Sequence, residues 1–186
     1  KGKSNDEFFD ASIDFFRQEG KRLEDMYPGV SDEYNDHTLL KLISITYWAG
    51  IFSPIAHRQL KERYGYCIAY VDTMAGSGVT KTRRAGDYFC GSCTGVVLSS
   101  RKKFPFDKII AVEINPDKAT ALEARLKQID PNLNLSIYTK DILIASSSIV
   151  KEIEQSCFSY IVIDPEGFEG VSWASIGPLL KCNGDA

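Results

Sequence analysis

The stretch Ile68–Gly78, IAYVDTMAGSG, constrains the fold of this chain more than any other. An apolar run ends in Asp72, and a turn with two glycines, Gly76 and Gly78, follows it. Apolar runs of this length are typical of parallel strands that are buried on both faces. Glycines in the following turn can adopt backbone angles closed to other residues, and they let a ligand approach the main chain. The stretch therefore predicts an α/β fold with a ligand site at the end of its first strand.

The residues around the two glycines distinguish three kinds of nucleotide-binding turn. A dinucleotide-binding G-x-G-x-x-G sequence needs Gly or Ala where this chain has Lys81. A P-loop ending at Lys81-Thr82 needs glycines where this chain has Ala75 and Thr80. The remaining pattern, D-x-x-x-G-x-G, resembles the first motif of class I S-adenosylmethionine-dependent methyltransferases. An acid suits that cofactor because its amino and sulfonium groups are cationic. A tight turn that binds no ligand stays open as the alternative.

The composition is that of a globular domain. With 186 residues, 44% of them apolar and 11% aromatic, the chain can fill a sizeable core. A net charge of −3 argues against a protein that coats nucleic acid by bulk electrostatics. We see no apolar run of membrane-spanning length and no signal peptide, so we expect a cytoplasmic protein that does not contact a membrane. Five cysteines without regular spacing do not suggest a secreted disulfide framework.

Helices are predicted before the first strand, in a segment of residues 1–64 that packs on a core formed by residues 65–186. Apolar residues at helical spacing and cap signals place these helices at residues 4–26, 37–50 and 53–63. Asp36 is the expected cap of the second helix. Ser53 and Pro54 have the pattern of an N-cap and first-turn pair, which predicts that a separate third helix starts there. Residues 28–36 are predicted to be a polar connection.

The segment Thr80 to Cys90 follows the glycine turn and is predicted to be a loop at the same end of the sheet. It is polar, lacks helical periodicity and contains the basic sequence KTRR. Such a loop could close over the site or contact a phosphate, or it could simply be solvated. Cys90 and Cys93 have the spacing of a redox pair, but they lack the sequence context of one. No second such pair exists in the chain, so we predict no metal site.

The second strand, Lys108–Glu113, also ends in an acid. Asn115 and Pro116 follow it as a cap and first-turn pair, which predicts a helix to about Gln128. One carboxylate at this position can accept hydrogen bonds from both hydroxyls of a ribose. We therefore predict that Glu113 contacts a nucleoside cofactor.

Two more strands complete the predicted sheet, at Leu135–Thr139 and Ser159–Asp164. Class I methyltransferases commonly have an acid after the third strand that accepts from the adenine amine, which here is Asp141, and the next residue packs on the ring. Capping of the following helix is the alternative role for this acid. With right-handed crossovers the strand order is 3-2-1-4, and the reversal puts Asp72, Gly76 and Asp164 around one crevice.

Asp164 begins an acid-proline step, DPEGF, that resembles the fourth motif of amino methyltransferases. In that motif, [DN]-P-P-[YF], a side-chain oxygen and a main-chain carbonyl hold the target amine in line with the methyl group. Positioning contributes more than acid or base strength to such a displacement. This chain departs from the motif at Glu166 and Gly167, so the sequence does not specify adenine. It is closer to the D-P-[FY]-G of tRNA guanine-N2 dimethyltransferases, whose acceptor is also an exocyclic amine.

Taken together, the motifs resemble those of the three-Cys-motif partner family of methyltransferase-like proteins. The similar segments are HTLLKLISITYWAGIFSPI, YVDTMAGSG, AVEINP and YIVIDPEGF followed by Trp173. The resemblance implies a Rossmann-like class I methyltransferase sheet, with three further strands after Ala186. It also implies a partner protein that carries the three-cysteine motif. That motif is not expected in this chain, so Cys90 and Cys93 are not part of it.

Two functions follow as hypotheses. The chain is either a methyltransferase that uses S-adenosylmethionine, acting on a nucleic-acid base, or a non-catalytic subunit of the three-Cys-motif partner. The predicted cofactor contacts are Asp72, Ala75, Gly76, Gly78, Glu113, Ile114, Asp141 and Ile142. Asp164 and Pro165 are predicted to address the methyl acceptor.

Overall fold

A computed structural model describes residues 5–35, 37–154, 157–165 and 172–181 of the chain. Its helices are α1 (Asn5–Met26), α2 (Thr38–Ala56), α3 (Glu62–Tyr64), α4 (Ser92–Ser100), α5 (Pro116–Ile129), α6 (Ile142–Glu154) and α7 (Trp173–Lys181), and a π-helical turn, His57–Lys61, joins α2 to α3. Its strands are β1 (Asp32–Tyr34), β2 (Cys67–Asp72), β3 (Val79–Thr82), β4 (Tyr88–Cys90), β5 (Lys108–Val112), β6 (Leu135–Tyr138) and β7 (Cys157–Val162).

Four parallel strands form the central sheet, in the order β6-β5-β2-β7. The four segments predicted as strands are its members. At the carboxyl end of β2, Asp72 is paired with Ala111 of β5 and with Val162 of β7. The carboxyl ends of the four strands therefore meet at one edge, where ligands of open α/β sheets usually bind.

The predicted fold class is wrong. The chain does not form a single methyltransferase sheet of order 3-2-1-4. Among its seven described strands, four form a parallel sheet of order β6-β5-β2-β7, and the other three form a second, mixed sheet. In that second sheet, of order β1-β3-β4, β3 runs parallel to β1 and antiparallel to β4. Its strands have three or four residues each.

The strands of the second sheet lie in two segments that the sequence predicts to be irregular. Three of the four residues of Val79–Thr82 are buried, and Gly86, with a φ of 71°, lies in the turn that leads into β4. The predicted loop over 80–90 is thus a hairpin. Asp32–Tyr34, within the predicted polar connection, is the strand that pairs with it. Short strands with several polar residues carry little local signal, and this pairing joins segments far apart in the chain.

The second and third predicted helices are one continuous helix, α2. Pro54 lies inside it, and the Ser53 hydroxyl donates to the Phe104 carbonyl oxygen instead of capping a new helix. Since proline cannot donate a backbone hydrogen bond, it disturbs the helix locally, and the π-helical turn begins three residues later. The expected cap, Asp36, lies outside the described residues.

The helical segment Thr38–Tyr64 corrects the expectation that no apolar run reaches membrane-spanning length. By length and composition alone, its 27 residues could cross a membrane, and its most apolar window has a mean hydropathy of 1.4. Only 28% of that window is buried in this structure. Leu40, Tyr47, Trp48 and Ile55 are 49–57% exposed, whereas Leu39, Ile45 and Phe52 are partly buried against the core.

The core lies on both faces of the parallel sheet. On one face, Phe16 and Leu23 of α1 and Leu42 of α2 pack in the same cluster as Ile68 and Tyr70 of β2. On the other face, α6 and α7 cover a smaller cluster that includes residues of β2 and β5. Both faces of the central strands are thus buried, as their continuous apolar sequences require.

A disulfide joins Cys67 to Cys157, at paired positions of β2 and β7. It lies at the amino ends of these strands, away from the glycine turn. The sequence spacing of the cysteines gives no indication of this bond. Cys90 and Cys93 are free and buried, and burial raises the pKa of both thiols, which disfavours the thiolate that redox chemistry needs.

Candidate functional site

A cavity of about 600 Å³ opens at the carboxyl edge of the parallel sheet. Its volume lies in the range of small-molecule sites. The cavity brings together eight of the ten residues predicted from the sequence: Ala75, Gly76, Gly78, Glu113, Ile114, Asp141, Ile142 and Asp164. Asp72 and Pro165 are not on its wall.

The two glycines of the turn are required by the protein itself. Gly76 and Gly78 have φ angles of 62° and 82°, which other residues rarely adopt. A Cβ on Gly76 would lie 2.5 Å from an oxygen of Asp32, and one on Gly78 would lie 2.9 Å from carbons of Leu122 and Thr94. The glycines therefore fit this backbone and packing whether or not a ligand is bound.

Asp72, the acid of the glycine motif, lies behind the turn. It is 1% exposed. Its carboxylate accepts hydrogen bonds from the hydroxyls of Tyr70 and Ser92 and, at 3.2 Å, from the backbone N–H of Met74. Burial raises the pKa of the Asp72 carboxyl, although these three donors oppose the shift. Asp72 thus holds the start of the turn and the start of α4, and it does not face the cavity.

The acid that reaches the cavity at this turn is Asp32, on β1. It is 5% exposed, and one carboxylate oxygen accepts from the backbone N–H of Ser77 at 2.7 Å. The other oxygen lies 2.6 Å from Nζ of Lys118 on α5. Sequence reasoning missed both residues. Asp32 reaches the turn only because β1 pairs with β3, a contact between distant segments without a local sequence signal.

Glu113 lies on the cavity wall just after β5. One of its carboxylate oxygens accepts from the backbone N–H of Asn115 at 2.7 Å, which orients the side chain. Asn115 in turn accepts from the N–H groups of Asp117 and Lys118, so its predicted role as the N-cap of α5 is confirmed. Ile114 is exposed at the mouth of the cavity. The cap thus fixes a carboxylate beside an apolar side chain.

Asp141 lies on the cavity wall after β6 and also caps α6. One of its carboxylate oxygens accepts from the backbone N–H of Leu143 at 2.7 Å. Ile142, the next residue, is buried but lines the cavity as well. The alternative role of Asp141 as a helix cap is therefore confirmed. Asp141 also lies on the cavity wall, where the contact with the adenine base is predicted.

Asp164 lies after β7 and forms an ion pair with Lys41 of α2, with 2.8 Å between Oδ2 and Nζ. The negative charge of Asp164 adds to the effect of burial in raising the pKa of Asp72. Lys41 was missed by sequence reasoning, because only the packing of α2 over β7 brings it to the site. Glu166 and Gly167, where the chain departs from the amine-binding motif, lie outside the described residues.

The charges of the cavity wall nearly balance. Its acids are Asp32, Glu113, Asp141 and Asp164, and its bases are Lys41, Lys118 and Lys140. Two of these lysines are already paired with carboxylates. A polyphosphate needs several free cationic or N–H donors, so this wall suits a ligand with hydroxyl, amine or cationic groups better.

A buried arginine holds the glycine turn from behind. Arg125 of α5 has no exposed side-chain surface and donates to the carbonyl oxygens of Ser77 and Val30, both at 2.8 Å, and of Tyr27. It also forms an ion pair with Glu24 of α1 at 2.8 Å. One side chain thus links the turn, α1 and the connection to β1. An arginine among the apolar positions of α5 could be recognised as unusual from the sequence, but its partners could not.

Comparison with known proteins gives no further guide, because the chain matches no family model and no curated protein at a significant level.

Proposed function

We propose that this cavity binds S-adenosylmethionine and that the chain transfers its methyl group to an exocyclic amine of a nucleic-acid base. One observation carries the proposal. Asp141, Glu113, the glycine turn and Asp164 follow the neighbouring strands β6, β5, β2 and β7 in spatial order, and all lie on one cavity.

This order matches the parts of a nucleoside with a long 5′ substituent. Adjacent strands are about 4.8 Å apart, so three spacings span about 14 Å. With the base at Asp141 and Ile142 and the ribose at Glu113, the 5′ substituent runs across the glycine turn towards Asp164. The scarcity of free cations on the wall favours an uncharged or cationic substituent over a polyphosphate. The resemblance of the sequence motifs to those of methyltransferases supports the same choice.

At the far end of the cavity, Asp164 would hold the acceptor. One of its carboxylate oxygens is paired with Lys41, and the other can accept a hydrogen bond from an amine. When bound, S-adenosylmethionine would supply an electrophilic methyl group on its sulfonium sulfur. The amine nitrogen would take that methyl group, the sulfur would keep the C–S electron pair, and the methylated amine would lose a proton to water. Alignment of the amine with the methyl group is the main contribution that the protein can make.

A second candidate function is that of a non-catalytic subunit that binds the cofactor. The ion pair between Asp164 and Lys41 favours it, because the lysine occupies part of the proposed acceptor position. The two candidates share the cofactor site and differ only at Asp164. A test of cofactor binding and a separate test of transfer therefore distinguish them.

Calorimetric titration with S-adenosylhomocysteine tests the cofactor site. We expect the wild-type chain to bind and Glu113→Gln to bind at least about tenfold more weakly, since a hydrogen bond to a charged group contributes about 1.5–3 kcal/mol. Glu123→Gln is the matched control, because Glu123 is exposed on α5 and is not on the cavity wall. No binding by a folded wild-type chain would contradict the proposal.

Transfer of a labelled methyl group to tRNA, rRNA and DNA tests the acceptor site. We expect Asp164→Asn to lose at least about a hundredfold in rate, because a misplaced acceptor is costly in a displacement that depends on alignment. Its affinity for S-adenosylhomocysteine should stay that of the wild type. Cofactor binding without transfer to any of these acceptors would favour the non-catalytic subunit.

A further inference from the structure

The turn of the β3-β4 hairpin, residues 83–87, contains two arginines and one acid. The acid, Asp87, is paired with Arg17 of α1, with 3.4 Å between Oδ2 and Nε. Arg83 and Arg84 are exposed, and neither has a carboxylate oxygen within 4.0 Å among the residues that the structure describes. The turn therefore presents two uncompensated positive charges, although the whole chain has a net charge of −3.

Backbone hydrogen bonds hold the two arginines in place. The N–H of Gly86 donates to the Thr82 carbonyl oxygen, and the N–H of Thr82 donates to that of Asp87, both at 2.9 Å. The N–H of Arg83 donates to the carbonyl oxygen of Tyr34 on β1 at 3.0 Å. The turn is thus bonded to itself and to the neighbouring strand, so a ligand does not have to order this backbone when it binds.

The mixed sheet places this turn beside the cavity. Tyr34 lies on the cavity wall and is paired with Thr82 of β3. Arg83, the next residue, is therefore about one strand spacing, ~4.8 Å, from the wall. Further along the chain from Tyr34, the wall continues to Lys41, which is paired with Asp164 at the proposed acceptor position. The two arginines thus lie beside the part of the wall that leads to the acceptor.

We propose that Arg83 and Arg84 bind the phosphodiester backbone of the nucleic acid whose base enters the cavity. This inference rests on the proposed function and adds that the substrate is a polynucleotide rather than a free nucleoside. An arginine can donate two parallel hydrogen bonds to one phosphate, which makes it well suited to this contact. The cavity wall includes four acids that repel a polyanion. Cations beside the cavity offset that repulsion and hold the phosphates outside it.

An acidic protein is a less suitable partner for this turn than a nucleic acid. Stable protein interfaces have an apolar centre, and residues 83–87, RRAGD, contain no large apolar side chain. Exposed ion pairs alone contribute less than about 1 kcal/mol each. A polynucleotide needs only ionic contacts at the turn, because its base supplies the rest of the binding inside the cavity.

Fluorescence anisotropy at a series of salt concentrations tests the proposal, with labelled single-stranded RNA and DNA of the same sequence as probes. We expect the double variant Arg83→Gln, Arg84→Gln to bind at least about tenfold more weakly at low salt, and its slope of log affinity against log salt to be smaller in magnitude by about 1.4, since each phosphate contact contributes about 0.7. The double variant Arg58→Gln, Arg63→Gln is the matched control. It removes the same charge from exposed positions that precede β2, at the opposite end of the sheet from the cavity. Its affinity and slope should be those of the wild type.

Titration with S-adenosylhomocysteine separates this inference from the proposed function. Neither double variant changes a residue of the cavity wall, so both should bind S-adenosylhomocysteine like the wild type. A wild-type chain that binds neither probe would overturn the inference even if it binds S-adenosylhomocysteine. So would a loss in Arg83→Gln, Arg84→Gln no larger than in the control, or a loss confined to binding of labelled polyglutamate, which would indicate an acidic protein instead. Stronger binding of one probe shows whether the backbone is that of RNA or of DNA.

Discussion

At the scale of single residues, the acid of the glycine motif serves the fold. Asp72 is buried, and burial raises the pKa of its carboxyl above the ordinary value. The native state therefore holds the proton more tightly than the unfolded state, whose aspartate pKa is about 3.9. It follows that the free energy of unfolding decreases as the pH rises from the unfolded pKa through the folded pKa.

Replacing this acid should remove that pH dependence. We expect the stability of Asp72→Asn relative to the wild type to increase with pH above about 4, because asparagine does not titrate. Urea denaturation at a series of pH values measures the difference. Ser92→Ala is the companion variant. This substitution removes a hydrogen bond that lowers the Asp72 pKa, so the folded-state pKa rises further. The stability of Ser92→Ala should therefore fall with pH over a wider range than the stability of the wild type. The same pH dependence in Asp72→Asn and wild type would contradict this account.

The site residues that sequence reasoning found share one property: each follows a strand that is itself visible in the sequence, as an apolar run or, before Asp141, as an alternating pattern. Glu113, Asp141 and Asp164 are of this kind, and all three line the cavity. Asp32 and Lys41 lie in the segment before the first predicted strand and reach the cavity only through tertiary packing. A local pattern can predict the first kind of residue and cannot predict the second.

At the scale of elements, a disulfide joins β7 to β2. Cys67 and Cys157 are 90 residues apart in sequence, so the bond closes a long loop of the unfolded chain. We expect the double variant Cys67→Ser, Cys157→Ser to lose about 2–4 kcal/mol of unfolding free energy, the usual contribution of a native disulfide. Chemical denaturation measures the loss.

Reductant provides the control for this prediction. The wild-type chain should lose a similar amount of stability when it is reduced, whereas the double serine variant should be unaffected. Peptide mass spectrometry without reductant should find Cys67 joined to Cys157. If the chain is equally stable with and without reductant, the bond does not contribute as we expect.

The predictability of the elements depended on their length and polarity. In the parallel sheet, β2 and β5 were visible because they are buried apolar runs, β7 because it is an apolar run, and β6 because its residues alternate. The strands of the mixed sheet were not, because β1 and β4 have three residues each and β3 contains charged and hydroxyl residues. Pro54 was misleading for a different reason. It is a good first residue of a helix, but here the apolar packing of α2 carries the helix through it.

At the scale of the whole molecule, Arg125 connects the segment before the sheet to the sheet itself. It joins α5 to α1 through Glu24 and to the glycine turn through the Ser77 carbonyl. Burial lowers the pKa of Arg125, and the nearby negative charges oppose that shift. Burying an ion pair costs free energy of desolvation, and removing one partner costs more, because the other charge stays buried without its counter-charge. The link is therefore a place where one substitution should weaken contacts throughout the fold.

We expect Arg125→Met to cost about 3–5 kcal/mol of unfolding free energy, because it leaves the Glu24 carboxylate without its cation and four carbonyl oxygens without their donor. Arg22→Met is the control. Arg22 is paired with Glu19 on the surface of α1, and an exposed pair contributes less than about 1 kcal/mol.

In the double variant Glu24→Gln, Arg125→Met, the loss of unfolding free energy should be smaller than the sum of the two single losses, since removing either partner destabilises the fold mainly by leaving the other unpaired. Urea denaturation of the wild type, the single variants Glu24→Gln and Arg125→Met, and the double variant measures all the terms of this double-mutant cycle. Losses that simply add would show that Arg125 stabilises the fold by its packing and its carbonyl contacts rather than through Glu24.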